Sequence, residues 1–323
     1  MKKRLVFLAL AAIALASCNG GFTKGDGGME YKILDDKSGP SIKEGDFISF
    51  NFIVKTDADS VLQSTYEKGQ PIRMAVPKLT GKGNIMTPFS TFSEGDSAMI
   101  KVNIDSMSKG HPRPKELKGK FLVYVVKIEK VIAKGNLTDP VFQGRIQDYI
   151  KNISEEAKAK EPASIKKYID DNKLKVTTTA SGLNYVINQQ GSGPLPATGD
   201  TIVVNYTGRF MNGKIFETSV KAEAIKNKMQ INPMNPYKPI RFALGAPGMI
   251  QGFTEGFMLL NKGTKATLVI PSKLAYGDQG NQMMQAYTPL AFDVEVVDII
   301  HPNPNAPKPA QPAMPTVQAP VKK

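Results

Sequence analysis

Two stretches of the chain alternate short apolar runs with turn residues, a pattern typical of β-strands in antiparallel sheets. The first covers residues 30–134 and the second covers residues 176–301. In residues 135–175, which lie between them, apolar side chains recur every three or four positions, as on one face of a helix. Pro140 predicts the first turn of this helix, and Pro162 predicts a break that divides it in two. The pattern therefore predicts two strand-rich domains joined by a helical connector.

Turn residues define the elements of the second stretch more closely. Asn212-Gly213 predicts a two-residue hairpin turn, in which both positions need a positive φ. Residues 248–260 predict a short apolar helix that ends before Gly263. Strands are predicted on both sides of it, and the last one covers residues 292–300.

The two stretches repeat each other in sequence. Asp46-Phe47-Ile48-Ser49-Phe50 matches Asp200-Thr201-Ile202-Val203-Val204 in register. Further pairs of matching segments follow in the same order: residues 61–64 with 215–218, 70–76 with 238–244, 95–102 with 263–270, and 123–131 with 292–300. Repetition of this kind indicates duplicated domains of one fold.

The first residues predict an export signal, not part of a domain. Three basic residues at positions 2–4 precede an apolar run at 5–15, and the segment ends in Leu15-Ala16-Ser17-Cys18. That tetrapeptide resembles the bacterial lipobox, which implies removal of residues 1–17 and acylation of Cys18, the one cysteine in the chain. A plain secretory signal followed by a chance cysteine is the alternative.

Two segments are predicted to lie outside any domain. Residues 18–29 are rich in glycine and predict a flexible tether, whereas residues 302–323 contain repeated prolines and predict a disordered tail. Asn19 follows the predicted lipid anchor and lacks the aspartate that retains many such proteins at the inner membrane. We therefore expect a lipid-anchored protein of the cell envelope, in the outer membrane and facing the periplasm.

Charge and composition exclude several classes of function. The net charge is +13, but lysines interleave with acidic residues, as at 154–161, so a solvated surface is expected in place of a nucleic-acid partner. Attraction to an acidic envelope surface is the alternative. His111 and His301, the two histidines, each precede a proline, which leaves no parts for a serine-hydrolase triad or a histidine metal site. No phosphate-binding glycine loop is present, so neither metal nor cofactor is expected.

The second stretch resembles the FKBP-type peptidyl-prolyl isomerases. The motifs that carry the resemblance are Val203-Val204-Asn205-Tyr206-Thr207-Gly208, Asn212-Gly213-Lys214-Ile215-Phe216-Glu217-Thr218-Ser219, Phe242-Ala243-Leu244-Gly245, Met249-Ile250-Gln251-Gly252-Phe253-Thr254-Glu255-Gly256, Leu274-Ala275-Tyr276-Gly277 and Leu290-Ala291-Phe292-Asp293-Val294. The resemblance implies an α+β fold, in which each of two FKBP-like domains is a bent antiparallel sheet wrapped over a short helix.

The same resemblance implies a pocket for a prolyl ring. Its lining would be Tyr206, Phe216, Phe242, Met249, Ile250, Phe253, Tyr276 and Phe292. The Tyr276 phenol would hold the substrate carbonyl next to the proline, the Ile250 N–H would bind a further carbonyl, and Glu217 would orient polar groups at the rim. Ordinary hydrophobic core is the alternative for each aromatic residue, and for Phe242 the two interpretations are balanced.

Several positions depart from the family pattern. Glu217 stands where the family usually has Asp, Phe253 where it commonly has Trp, and Met249 where it has a smaller aliphatic residue. Residues 220–237 form a longer connection than usual beside the pocket. These departures leave the site in place but bear on its substrate preference.

The first domain departs much further from the family. Phe52, Leu62 and Gln63 stand where the second domain has Tyr206, Phe216 and Glu217, and no tyrosine lies near Ser108 to match Tyr276. The first domain is therefore expected to keep the fold and to lack the site.

The resemblance implies a peptidyl-prolyl cis-trans isomerase that assists the folding of exported proteins. Its partners would be unfolded, proline-containing polypeptides, whose slow folding steps are often X-Pro isomerisations, and the membrane reached through Cys18. A non-catalytic, chaperone-like or peptide-binding module is the main alternative, and a scaffold of the cell envelope is the third. Tyr276, Phe216 and the acid at position 217 favour the enzyme.

Overall fold

The computed structural model describes most of the chain as two compact units. The residues described are 21–79, 84–108, 117–229, 231, 234–281 and 283–302. The predicted signal peptide, Cys18 and the predicted tail beyond residue 302 lie outside the described residues. Among the described residues, those up to Lys160 together with Asp278–Tyr287 form the first unit, and Glu161–Gly277 together with 288–302 form the second.

The described residues of the first unit form a seven-stranded antiparallel sheet in the order β1-β2-β6-β7-β3-β4, with β5 also paired to β3. Its elements are β1 (Thr23–Lys24), β2 (Met29–Asp35), β3 (Phe47–Thr56), β4 (Val61–Ser64), α1 (Thr65–Lys68), β5 (Ile72–Ala75), β6 (Ser97–Asn103), α2 (Ile104–Ser108) and β7 (Phe121–Ile132). A 3-10 helix at Thr87–Thr91 packs Phe89 into the core of this unit, against β3, β6 and β7.

The connector is one continuous helix, α3 (Asp139–Asp171), with Pro162 inside it. The predicted break at Pro162 is therefore wrong. A proline inside a helix removes a hydrogen bond and costs about 3 kcal/mol, so packing on both sides must offset that loss. Before the proline, Phe142 packs with Phe47 of the first unit, and after it Tyr168 packs with Val269 of the second. No helix among the described residues is both long and apolar enough to cross a membrane.

The described residues of the second unit form another seven-stranded antiparallel sheet, in the order β11-β10-β14-β13-β9-β8, with β12 also paired to β10. Its elements are β8 (Thr177–Thr178), β9 (Asn184–Gln189), β10 (Thr201–Phe210), β11 (Ile215–Thr218), α4 (Lys221–Lys226), β12 (Ile240–Ala243), α5 (Gln251–Phe257), β13 (Lys265–Ile270) and β14 (Leu290–Ile300). The predicted α+β class, with strands around a short helix, is confirmed.

The two sheets have the same topology, so the predicted duplication is confirmed. The pairing of β3 with β7 and that of β10 with β14 each contain a register shift at the same point, after Ser49 and after Val203. Equivalent hydroxyls also accept equivalent hydrogen bonds. The Phe52 N–H donates to Thr65 Oγ1, and the Tyr206 N–H donates to Ser219 Oγ, both at 2.9 Å.

The register corrects one predicted match between the two stretches. Val54 lies opposite Tyr124, and its counterpart Gly208 lies opposite Phe292. Tyr124, and not Val123, is therefore the counterpart of Phe292. A shift of one residue matters because it moves each side chain to the other face of the sheet.

The turn at Asn212-Gly213 also differs from the prediction. The Phe210 N–H donates to the Lys214 carbonyl at 2.9 Å, which makes the connection three residues long. Gly213 has a φ of 83°, whereas Asn212 is not among the described residues with positive φ. The Asn212 side chain instead accepts the Lys214 N–H. This is a three-residue hairpin that ends in a left-handed glycine.

Helix α5 lies very close to β13. It is shorter than the predicted 248–260. A Cβ added at Gly252 would come within 2.4 Å of Ile270, and one added at Gly256 within 2.7 Å of Leu268. The two glycines therefore allow the helix to press its buried face, with Phe253 and Phe257, onto the sheet.

Candidate active site

Three of the predicted pocket residues meet around the ring of a fourth, Phe292 on β14. The centroid of that ring lies 4.5 Å from the ring of Phe253, 5.7 Å from Phe216 and 6.4 Å from Tyr206. The Phe216 and Phe292 rings are almost perpendicular, at 89°, which is a favourable edge-to-face arrangement. Strands β10, β11 and β14 and helix α5 thus bring together side chains that are far apart in sequence.

Gly208 on β10 makes room for this cluster. A Cβ at that position would lie 2.5 Å from Cζ of Phe216 and 2.8 Å from Cε1 of Phe292. Real Cβ atoms do not approach so closely, so any side chain at residue 208 would displace two of the four rings. The glycine of the Tyr206-Thr207-Gly208 motif is therefore required by the aromatic cluster.

Phe242 on β12 lies at the edge of the cluster. Its ring stacks on Phe253 at 6.4 Å and meets Phe257 edge to face at 5.4 Å. Since Phe257 is fully buried and Phe242 is half-buried, this ring contacts both the core and the pocket side of α5. The structure therefore supports both interpretations of Phe242.

A polar group lies beside the rings. Tyr206 is buried and its hydroxyl donates a hydrogen bond to Glu217, whose side chain is exposed. Burial raises the pKa of the Tyr206 phenol far above its usual range, and the Glu217 carboxylate and Tyr276 raise it further. Burial, followed by the charge of Glu217, also raises the pKa of Tyr276. Burial and the nearby Glu217 carboxylate therefore both favour the protonated, hydrogen-bond-donating form of the two phenols.

Tyr276 lies in the turn after β13. A 3-10 helix at Ser272–Leu274 precedes it, and the Ser272 carbonyl accepts the N–H groups of Ala275 and Gly277, both at 2.8 Å. The buried side chain of Leu274 fixes this turn to the core, whereas Tyr276 remains 39% exposed. The phenol is therefore presented to solvent at the rim by a short, hydrogen-bonded turn.

Met249 and Ile250 lie directly before α5, the helix that carries Phe253. Both are half-buried. The Ile250 carbonyl accepts the Phe253 N–H at 3.0 Å, while the Ile250 N–H has no acceptor among the described residues. The binding of a substrate carbonyl by this N–H stays a prediction.

Sequence reasoning missed two further aromatic residues. Phe210 lies 5.0 Å from Phe216, and Phe257 lies 5.4 Å from Phe253. The sequence spacing of Phe210 and Phe257 could have predicted both positions. Phe210 lies on the same face of β10 as Tyr206 and Gly208, and Phe257 lies one helical turn after Phe253.

The connection at residues 220–237 is fixed to the end of β11. Thr218 Oγ1 accepts the Val220 N–H at 3.1 Å, and the Thr218 carbonyl accepts the Asn235 side-chain amide at 3.3 Å. Ile225 is 60% exposed and Met234 is 88% exposed. The described part of this connection therefore places exposed apolar side chains on a segment fixed next to Glu217.

The first unit has other side chains at the equivalent positions. They are Phe52, Leu62, Gln63, Met74, Ile85, Ser108 and Tyr124. Leu62 is 37% exposed. Phe89 packs against Phe50 at 5.3 Å and Phe92 at 5.4 Å, and Met74 and Ile85 pack against the same core. Phe52 and Tyr124 also pack against this core, whereas Gln63 is exposed, and neither a phenol nor a carboxylate stands at the positions of Tyr206 and Glu217.

Comparison with known proteins shows which family part of the second unit is similar to. Residues 193–297 match the family model described as FKBP-type peptidyl-prolyl cis-trans isomerase. The FkpA isomerase of Escherichia coli K12 is 32% identical over 51% of this chain and 59% of its own length. The probable FkpA isomerase of Neisseria meningitidis serogroup B is 41% identical over 42% of this chain and 45% of its own length.

The crystal structure of FkpA from Escherichia coli aligns with a TM-score of 0.40 and 30% identity, over 51% of this chain and 74% of that chain. The chain thus spans about half the length of the curated relatives it matches, and the aligned part contains the aromatic cluster. Residues 193–297 of this chain are therefore similar to the FKBP-type peptidyl-prolyl cis-trans isomerases.

Proposed function

We propose that the protein catalyses cis-trans isomerisation of X-Pro bonds in exported polypeptides, and that the second unit is the catalytic one. One observation carries the proposal. The rings of Tyr206, Phe216 and Phe253 meet around the ring of Phe292, within the segment that matches the isomerase family.

The reaction suits an apolar pocket. A peptide bond rotates over a barrier of about 18–20 kcal/mol because resonance gives the C–N bond double-bond character. At the top of the barrier the amide is twisted and less dipolar, so an apolar site favours it over the planar ground state. An acceleration of about 10⁵ requires about 7 kcal/mol of such preference. No covalent intermediate is required.

Each polar group has a role that its position supports. The Tyr276 phenol donates a hydrogen bond to the carbonyl of the residue before or after the proline, which holds the peptide while the bond rotates. The Ile250 N–H binds a further carbonyl of the substrate polypeptide. Glu217 keeps Tyr206 oriented through their hydrogen bond and thereby defines one wall of the pocket.

Isomerisation of a proline tetrapeptide is the direct test. We expect the mature chain to accelerate it at a rate that is flat between pH 6 and pH 8. The reason is that the raised pKa values of Tyr206 and Tyr276 keep both phenols protonated throughout this range, and the contribution is lost only as the pH rises towards those values. His301, which pairs with Asp200 at 2.9 Å, lies outside the site. A bell-shaped profile centred near neutrality would contradict this mechanism, and no acceleration would contradict the function.

A non-catalytic polypeptide-binding module is the second candidate. The exposed Ile225 and Met234 favour it, because apolar side chains at a fixed surface bind apolar segments of unfolded chains. An isomerase and a binding module can be told apart by measuring tetrapeptide isomerisation and protein aggregation separately. A binding module lowers the aggregation of an unfolded protein without changing the rate of tetrapeptide isomerisation.

We also propose that the protein acts in the cell envelope, anchored through a lipid on Cys18. The basic residues at positions 2–4, the apolar run at 5–15 and the sequence Leu15-Ala16-Ser17-Cys18 support this location. Anchoring in the outer membrane, facing the periplasm, would place the isomerase where exported polypeptides fold.

Replacing Cys18 tests the anchor. We expect Cys18→Ser to release the protein from the membrane fraction or to leave an uncut precursor, because the hydroxyl does not support the lipid attachment. Ser17→Ala is the matched control and should remain in the membrane fraction. Mass spectrometry of the native protein that finds a different first residue without lipid would contradict the proposal.

A further inference from the structure

Helix α3 is hydrogen-bonded to the turn that presents Tyr276. The Glu161 carboxylate accepts the Ser272 N–H at 2.6 Å and the Ser272 hydroxyl at 2.8 Å. The two residues are 111 positions apart, and both belong to the second unit. Ser272 is 2% exposed, so water does not readily replace the carboxylate as the acceptor for its two donors.

Ser272 transmits this contact to the residues on either side of Tyr276. Its carbonyl accepts the N–H groups of Ala275 and Gly277, both at 2.8 Å. Among the described residues, the hydrogen bonds that join residues 272–277 to another element of the protein are the two accepted by Glu161. Beyond its covalent link to β13 through Pro271, the turn is held against the sheet by Leu274, which is buried, and by Glu161.

We propose that Glu161 is a positioning residue for isomerisation, which fixes the Ser272 turn so that the Tyr276 phenol meets the substrate carbonyl. The proposal rests on the proposed function of the second unit. It assigns a role in the reaction to the connector helix α3, which contributes none of the predicted pocket residues. Glu161 does not touch the substrate and acts through Ser272.

Removal of the carboxylate should displace the turn. Without Glu161, the Ser272 N–H and hydroxyl are left without a partner, and the turn must shift to hydrate them. A displacement of about 1 Å at a group that holds the substrate is enough to lower a rate considerably. We expect Glu161→Ala to lower kcat/KM for a proline tetrapeptide about tenfold. Glu161→Gln, which keeps one acceptor oxygen but turns an N–H towards the other donor, should have an intermediate effect.

The test uses the full mature chain and a double-mutant cycle with Tyr276→Phe. If Glu161 acts through the phenol, Glu161→Ala should lower kcat/KM by a much smaller factor in the Tyr276→Phe background than in the native chain. If Glu161→Ala lowers kcat/KM by the same factor in both backgrounds, its effect is a general structural one and the proposal is overturned. Glu156→Ala is the matched control, because Glu156 lies on the same helix and pairs with the exposed Lys160. It should retain native activity.

Amide hydrogen exchange supplies a second measurement that does not depend on turnover. We expect the N–H groups of Ala275 and Gly277 to exchange faster in Glu161→Ala and Glu161→Gln, and to be unchanged in Glu156→Ala. Native exchange at both amides, or native kcat/KM in a folded Glu161→Ala chain, would overturn the proposal. If the native chain itself does not isomerise the tetrapeptide, the proposed function fails, and the exchange data alone then decide whether Glu161 holds the turn.

Discussion

Replacing Phe253 or Phe216 with alanine should nearly abolish isomerase activity. Burial of one such side chain is worth about 1.5–3 kcal/mol, which corresponds to about a ten- to hundredfold change in rate when the contact is made in the transition state. Phe253 contacts Phe292, Phe242 and Phe257, with ring centroids 4.5, 6.4 and 5.4 Å away. Its loss would remove the floor of the pocket and also leave a cavity in the core.

The two substitutions differ in their cost to stability. Phe253 is 4% exposed, and its replacement should lower the free energy of unfolding by about 3–5 kcal/mol. Phe216 is half-buried and contacts the rings of Phe210 and Phe292, so Phe216→Ala should cost less stability and leave a folded chain with a damaged pocket. Phe216→Ala is therefore the more informative variant.

The duplicated domain supplies a matched control for this experiment. Leu62 is the counterpart of Phe216 in the first unit, and Leu62→Ala should leave the rate unchanged. The measurement is kcat/KM for a proline tetrapeptide, with thermal unfolding of each variant recorded in parallel. A folded Phe216→Ala chain that retains about half or more of the native kcat/KM would contradict the role given to the aromatic cluster.

Features that depend on residues close together in the chain could be predicted from the sequence. Alternation of apolar and polar positions located the strands, and the repeated motifs predicted two copies of one fold. The family motifs also predicted Tyr206, Phe216, Phe253 and Phe292, whose rings meet in the structure. These residues lie on strands and a helix with strong local patterns, so tertiary contacts did not change their assignment.

Features that depend on distant contacts were not predictable in the same way. Helix α3 continues through Pro162 because packing on both sides of the proline outweighs its local effect. The final strands were matched one residue out of register because β7 is apolar on both faces around Tyr124, so its pattern does not mark which face is inside. The contact of Glu161 with Ser272 joins residues too far apart for any local pattern to indicate.

The first unit keeps the shape of the domain without the groups that the reaction needs. Phe52 lacks the hydroxyl of Tyr206, Gln63 lacks the charge of Glu217, and Ser108 replaces Tyr276. Its strands, its register shift and its buried aromatic core are nevertheless those of a well-packed domain. A domain that retains its packing after losing its site is expected to bind or position, and not to catalyse.

We therefore expect a division of labour between the two units. Residues 30–134 alone should fold and show no isomerase activity, because Phe52, Gln63 and Ser108 stand in place of Tyr206, Glu217 and Tyr276. A chain that lacks residues 30–134 but keeps α3, and with it Glu161, should turn over tetrapeptides at nearly the native rate. It should act more weakly on an unfolded protein whose refolding is limited by X-Pro isomerisation, because that substrate is large enough to contact the first unit as well.

The measurement is the ratio of the two activities in the native and shortened chains, with Tyr276→Phe in the native chain as the control that lowers both together. If residues 30–134 accelerate tetrapeptide isomerisation as well as the second unit does, then Leu62, Gln63 and Ser108 are compatible with catalysis and the assignment of the site to the second unit alone is wrong.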